Sequence, residues 1–313
     1  MRIFLAPMEG VVDHHMRRVM QVIGGVDIYV TEFVRVCDHT LPRKVFIKYS
    51  PELTQAQPKI PTRIQLLGSN PEALALSARK AAKLGAPAID LNFGCPAKTV
   101  NRNRGGACLL DDTDLIYQIV SQVREQVPPS IPVTAKIRLG YQERDSYLRN
   151  AQAIEQAGAN ELIVHARSKQ DGYNPPAYWK YIGEIKQAVK IPVVANGEIW
   201  NLKDFIQCRE ESLCEDFMLG RGLLAHPDLA KEIKAYCQGH EYTPMPWSEI
   251  AQHLHQFFLE TCAAYPKKYT GNRAKQWLHY LSRHYTEAAA LFESIKKTRD
   301  FSIIDTALKN HYS

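Results

Sequence analysis

Eight short β-rich runs recur along the first three quarters of the chain, and this repetition limits the possible folds more than any other feature. They read RIFLAP, IYVTEF, TRIQLL, AIDLN, PVTAKIR, ELIVHAR, PVVANG and DFMLG. Between most of them lie segments with helical spacing. In PEALALSARKAAKLGA, Leu74, Ala78, Ala81 and Ala82 share one face and Gly85 follows as a stop; SYLRNAQAIEQAGAN repeats the design and ends at Gly158. Strands alternating with helices imply parallel pairing through right-handed crossovers. Eight units of this length predict an α/β protein built as a closed (β/α)8 TIM barrel, in preference to an open doubly wound sheet.

The alternation stops after GRGLLAHPDLAKEIKAYCQG. EYTPMPW, with Pro244 and Pro246, reads as a linker, and Ala274, Trp277, Leu278, Leu281 and Tyr285 beyond it follow helical spacing. The expected division is a catalytic barrel over 1–242 and a small C-terminal helical domain over 243–313. The seven cysteines are scattered and never stand in a CxxC spacing, which argues against a disulfide framework or a zinc site. MRIFLAPMEG has too short an apolar stretch for a signal segment, and no later run reaches membrane-spanning length. A cytoplasmic protein without metal or membrane attachment is expected. Its net charge of +6, from 39 basic and 33 acidic residues, leans mildly toward a polyanionic partner.

In a barrel of this kind the chemistry sits where strands end and the following loops begin. Polar, reactive residues cluster there: Pro7, Met8 and Glu9; Glu32 and Arg35; Gln65; Asn92 and Cys95; Lys136 and Arg138; His165 and Arg167; Asn196 and Gly197; Gly220 and Arg221. Each alone has an ordinary explanation, such as a turn cap, a satisfied core histidine or a snorkelling lysine. Their recurrence at nearly every strand is what points to a site. VTAKIRLG sets Lys136 in an apolar alternation, facing the same way as Arg138, and a buried cation needs an anionic or electron-rich partner. The glycines of ANGEI and LGRGLL, after strands seven and eight, let backbone N–H groups approach a phosphate.

That combination suits flavin mononucleotide (FMN). Lys136 is expected at the N1/C2 carbonyl edge of the ring, with His165 and Gln65 hydrogen-bonding the ring or its phosphate. Cys95, between Gly94 and Pro96, is either a proton donor facing a substrate stacked on the flavin or a small side chain packed behind a turn. A thiol of ordinary pKa is mostly protonated at neutral pH, which suits the first role, and Cys108 in GGACLL suits the second better.

LAPMEGVVD, TEFVRV, LNFGCPAKTVNRNRGGACLL, AKIRLG, VHARS, ANGEIW and LGRG together resemble the tRNA-dihydrouridine synthase family. APMEGV, TEFVRV, NGEIW and RAKQWLHYL are similar in particular to the bacterial branch acting on uridine 16 of the tRNA D-loop. The resemblance implies that NADPH reduces bound FMN, that hydride passes to C6 of the uracil, and that Cys95 protonates C5. It implies FMN contacts from Pro7, Met8, Glu9, Gln65, Lys136, His165, Asn196, Gly197, Glu198, Gly220 and Arg221. Arg35, Asn92 and Arg138 are then expected to hold the flipped nucleotide, and Arg273, Lys275 and Arg283 to meet tRNA, with the protein a monomer.

An FMN-dependent reductase of a free pyrimidine or other small molecule would use the same barrel end. The tail separates the two readings, because 265–285 holds Lys267, Lys268, Arg273, Lys275 and Arg283, four tyrosines and Trp277, with no acidic residue. A non-catalytic RNA-binding protein on a decayed barrel is the third reading, against which the intact Cys95, Lys136 and His165 weigh. Lys275, His279 and Arg283, four residues apart, are expected to form one outward basic stripe.

Overall fold

A computed structural model describes residues 1–55 and 59–312. Nine strands form one parallel sheet: β1 (Ile3–Leu5), β2 (Ile28–Val30), β3 (Val34–Arg35), β4 (Thr62–Leu67), β5 (Ile89–Phe93), β6 (Val133–Arg138), β7 (Glu161–His165), β8 (Val193–Asn196) and β9 (Asp216–Leu219). β1 pairs with both β2 and β9, and β2 also pairs with β4, so the sheet closes on itself. It is a TIM barrel. The run expected as a single second strand is broken in two, and both pieces pair with β4. Between them the Thr31 hydroxyl accepts the Gln65 N–H at 3.0 Å, so a side chain takes over one rung of the ladder.

The barrel interior is filled by Phe4, Ala6, Val30, Ile163, Val194 and Met218. At the N-terminal ends of the strands, Glu161 accepts from Arg63 at 2.5 Å and from Arg2 at 2.7 Å, and Arg2 also grips Asp216 at 2.6 Å. Arg63 and Glu161 are buried. This network ties β1, β4, β7 and β9 together at that end of the barrel.

The helix Pro71–Lys83 forms where its spacing predicts. The Asn70 side chain caps it by accepting the Ala73 N–H at 3.1 Å, Pro71 starts its first turn, and Leu74, Ala78, Ala81 and Ala82 are buried. Gly85, at φ +93°, turns the chain toward β5 in a conformation that other residues resist.

By contacts the chain divides into two compact units. One comprises Met1–Glu9, Asp27–Ile199 and Lys203–Leu219; the other comprises Gly10–Val26, Trp200–Leu202 and the chain from Gly220 onward. The helical unit thus starts earlier than residue 243 and includes the helix His14–Ile23. Specific bonds account for this. The Trp277 indole donates to the Leu224 carbonyl at 3.1 Å, and Arg273 pairs with Asp13 at 3.0 Å while donating to the Gly10 and Val11 carbonyls at 2.7 Å. Asp13 also caps its helix by accepting the Met16 N–H at 2.9 Å. In the helix Asn272–Leu281, Ala274, Trp277, Leu278 and Leu281 are buried, as their spacing predicts. No helix among the described residues is long and apolar enough to cross a membrane.

Candidate active site

The loop after β5 holds Cys95 at both backbone groups. The Asn92 side-chain carbonyl accepts the Gly94 and Cys95 N–H groups, each at 2.9 Å. The Cys95 carbonyl accepts from the Ala107 N–H and from Asn101 Nδ2, each at 3.0 Å. Gly106, at φ +69°, makes this approach possible, since a Cβ there would meet the Cys95 carbonyl oxygen at 2.7 Å. The thiol packs with Phe33, Leu67 and Val100. Burial pushes its pKa up, opposed by the Ala97 N–H and aided by Glu9. Cys95 is therefore a protonated thiol at neutral pH, fixed in place. Cys108 is half-buried, its pKa is also raised by burial, and its sulfur donates to the Gly105 carbonyl at 3.3 Å.

Asn92 also begins a chain of amides running into the barrel. Its Nδ2 donates to Gln65 Oε1 at 2.7 Å, Gln65 Nε2 donates to Asp90 Oδ2 at 2.8 Å, and the Thr134 hydroxyl donates to Asp90 Oδ1 at 2.6 Å. Gln65 and Asp90 are fully buried. The chain fixes which end of each amide faces which way, and leaves Gln65 one further N–H to give. Asn92, expected to hold the substrate, spends most of its amide on shaping the cysteine loop.

Lys136 extends from β6 to the end of β8. Its ammonium donates to Asn196 Oδ1 at 2.9 Å, and Asn196 Nδ2 donates to the Met218 carbonyl at 2.8 Å. Burial, with Arg138 adding to it, lowers the Lys136 pKa to about 7 against the pull of Asp90. An ammonium whose nearest acceptor is a neutral amide is short of negative charge. Beside it, Gly197 at φ +120° leaves space that a Cβ would fill at 2.7 Å from His165 Cδ2, so the imidazole lies directly on the backbone. The Gly197 carbonyl accepts the Trp179 indole N–H at 2.8 Å, and Glu198 pairs with the buried Arg167 at 2.6 Å. Pro7 and Met8, following β1, are half-buried, and Glu9 is exposed.

Arg138 differs from its expected role. It is buried, and its guanidinium donates to the carbonyls of Gly94, Ser168 and Gly172 at 2.9, 3.0 and 3.0 Å. It braces the loops after β5 and β7 against each other. Tyr173, which sequence reasoning passed over, is 54% exposed with the Arg138 guanidinium 5.2 Å from its ring centre and the His165 ring at 6.2 Å. The signal was an aromatic residue in the polar, glycine-containing loop SKQDGYN after a site-bearing strand. Asp171 fixes that loop, accepting from the Ser168 N–H at 2.7 Å and from Arg144 at 2.8 Å. Arg35 is exposed at the end of β3.

In the helical unit the expected basic stripe is only partly free. The Lys275 ammonium donates to the Thr298 carbonyl and its pKa is lowered by burial, with Arg299 adding to the effect. Arg273 is engaged by Asp13. His279 and Arg283 are exposed. Gly220 precedes the short helix Arg221–Ala225, and the Arg221 guanidinium lies 5.0 Å from the Trp200 ring centre.

The sequence model of the Dihydrouridine synthase family matches residues 4–309. The chain belongs to this family of flavin-dependent oxidoreductases. It is 48% identical over 311 residues to the tRNA-dihydrouridine(16) synthase of Pseudomonas putida, covering 98% of this chain and 96% of that one. To the tRNA-dihydrouridine(16) synthase of Shewanella oneidensis it is 46% identical over 299 residues, covering 95% and 93%. Among solved structures, the old yellow enzyme homologue of Zymomonas mobilis aligns with a TM-score of 0.52 at 11% identity, over 78% of this chain and 90% of that one. Histamine dehydrogenase of a Rhizobium species aligns at 0.56 and 14% identity, over 75% and 46%. At such identities the likeness is one of fold, the TIM barrel that the alternating strands and helices predict.

Proposed function

We propose that this protein is a tRNA-dihydrouridine synthase that reduces the C5–C6 double bond of uridine 16 in the D-loop, with FMN as cofactor and NADPH as electron donor. The observation that carries the proposal is the Cys95 thiol, held neutral and pinned by its own N–H and C=O at the C-terminal end of a barrel strand. The site suits a flavin: the Lys136 ammonium makes its hydrogen bond to a neutral amide, Gln65 keeps an N–H, and His165 lies on the Gly197 backbone. Bound FMN, once reduced by NADPH, supplies the hydride that adds to C6 of the uracil.

Cys95 holds the proton at Sγ and gives it to C5, so the double-bond electron pair ends in a C–H bond and the sulfur is left as thiolate, reprotonated from solvent. Lys136 would offer positive charge to the N1/C2 carbonyl edge of the ring, and binding there would raise the lysine's pKa from its depressed value. Pro7, Met8 and Glu9, with Asn196 and the backbone at Gly197 and Glu198, would line the cofactor. Tyr173 offers a face for the extruded base, Arg35 an exposed charge, and Asn92 and Arg138 keep the thiol in register. The helical tail, acting in a monomer, holds the tRNA.

The test is Cys95→Ala. The variant should retain FMN, oxidise NADPH and bind tRNA while forming dihydrouridine some 10² to 10⁴-fold more slowly, the usual cost of losing a general acid. Near-normal product formation would assign the proton to another group.

A further inference from the structure

Two arginines of the helical unit share one indole. The Arg221 guanidinium lies 5.0 Å from the Trp200 ring centre and the Arg283 guanidinium 4.3 Å from it. Trp200 and Arg221 are half-buried, while Arg283 is exposed. The two charges therefore lie within about 10 Å of each other, roughly the Debye length at 0.1 M salt. Among the described residues Arg283 makes no ion pair with a carboxylate, so nothing acidic cancels it.

A long, flexible arginine ordinarily loses side-chain entropy when it grips a phosphate. Stacking on an indole removes much of that freedom in advance and leaves the guanidinium edge, which carries the N–H donors, free to point outward. A phosphodiester backbone presents the matching chemistry: planar pairs of oxygens, one negative charge each, at regular spacing. We infer that Arg283, stacked on Trp200 beside Arg221, forms a preorganised clamp for the phosphate backbone of the RNA substrate, in which Arg283 supplies the contact and Trp200 is its positioning residue. The inference rests on the tRNA reading above. It also gives Trp200 of the ANGEIW run a role apart from the flavin chemistry of its neighbours.

The two roles separate in a salt series. With the FMN-loaded full-length protein and unmodified tRNA, affinity is measured from low to moderate salt for the parent and four variants. Arg283→Ala should weaken binding and lower the slope of log affinity against log salt by about 0.7 to 0.9, as one phosphate contact is lost. Trp200→Leu should weaken binding about two- to fivefold, the worth of an exposed cation–π contact, and leave the slope unchanged because the charge remains. Trp200→Phe should restore part of that loss. Arg283→Lys should keep the slope yet bind more weakly than the parent, since the ammonium cannot stack as a plane. A parent that binds tRNA without salt dependence would overturn the underlying reading. A parent that binds normally while Arg283→Ala matches it in both affinity and slope would overturn the clamp alone. Arg283 is exposed, so its variants fold whether or not Trp200→Leu does.

Discussion

Replacing Lys136 by methionine should stabilise the flavin-free protein while impairing its flavin. The ammonium sits among buried groups with a neutral amide as acceptor, and its pKa falls from the usual 10.5 to about 7 because of burial, then Arg138. The unfolded chain keeps the proton up to about 10.5, whereas the folded chain releases it near 7. Between these values the unfolded state binds more protons, so this group makes stability rise with pH; below 7 both states are protonated and the desolvation cost is fully present. Methionine removes that cost and fills a similar length. The slope limit is about 1.4 kcal/mol per pH unit for one proton. Because the side chain is not fully sealed from water, an advantage on the order of 1–2 kcal/mol for the variant at pH 6 is expected after discounting for screening. It should shrink as pH rises toward 9. Urea unfolding of both flavin-free proteins across that range measures the gap. A variant less stable than the parent at pH 6, or a gap independent of pH, would refute the reasoning. The same variant should bind reduced FMN more weakly than oxidised FMN, relative to the parent.

Glu161→Gln should destabilise the barrel by about 3–5 kcal/mol in denaturant unfolding, because it leaves the Arg63 charge buried opposite a neutral amide in place of its carboxylate; a loss under 1 kcal/mol would contradict the role given to that network. Gly197→Ala should purify with less FMN, since its Cβ would meet His165 Cδ2 at 2.7 Å at a backbone φ of +120°; full flavin content would contradict the cradle. Asn101→Leu removes donors to the Cys95 and Ala97 carbonyls at 3.0 and 2.8 Å and the acceptor for the Cys108 N–H. It should lower dihydrouridine formation more than NADPH oxidation, and equal losses in the two assays would place the defect in the flavin.

The barrel was legible because eight β-rich runs recur along the chain with segments of helical spacing between most of them. The break at Thr31 was not, because it depends on a hydroxyl replacing a ladder bond to Gln65, a tertiary event without local signal. Residue types at the strand ends revealed where the chemistry lies, but not which groups are spent on holding others. Asn92, Arg138 and Arg273 are polar residues in the expected places that bond the protein's own backbone and side chains. Lys275 follows an outward stripe by spacing, yet it turns to the Thr298 carbonyl, contributed by a segment more than twenty positions on. The grouping of His14–Ile23 with the tail depends likewise on the distant pair Asp13 and Arg273.

The central claim is tested most directly by incubating the FMN-loaded protein with NADPH and tRNA lacking dihydrouridine, then mapping the product nucleotide by nucleotide. The account predicts dihydrouridine at position 16 of the D-loop and none formed from free uracil or uridine under the same conditions. Reduction of the free pyrimidine with tRNA left untouched, or modification confined to another uridine, would contradict it.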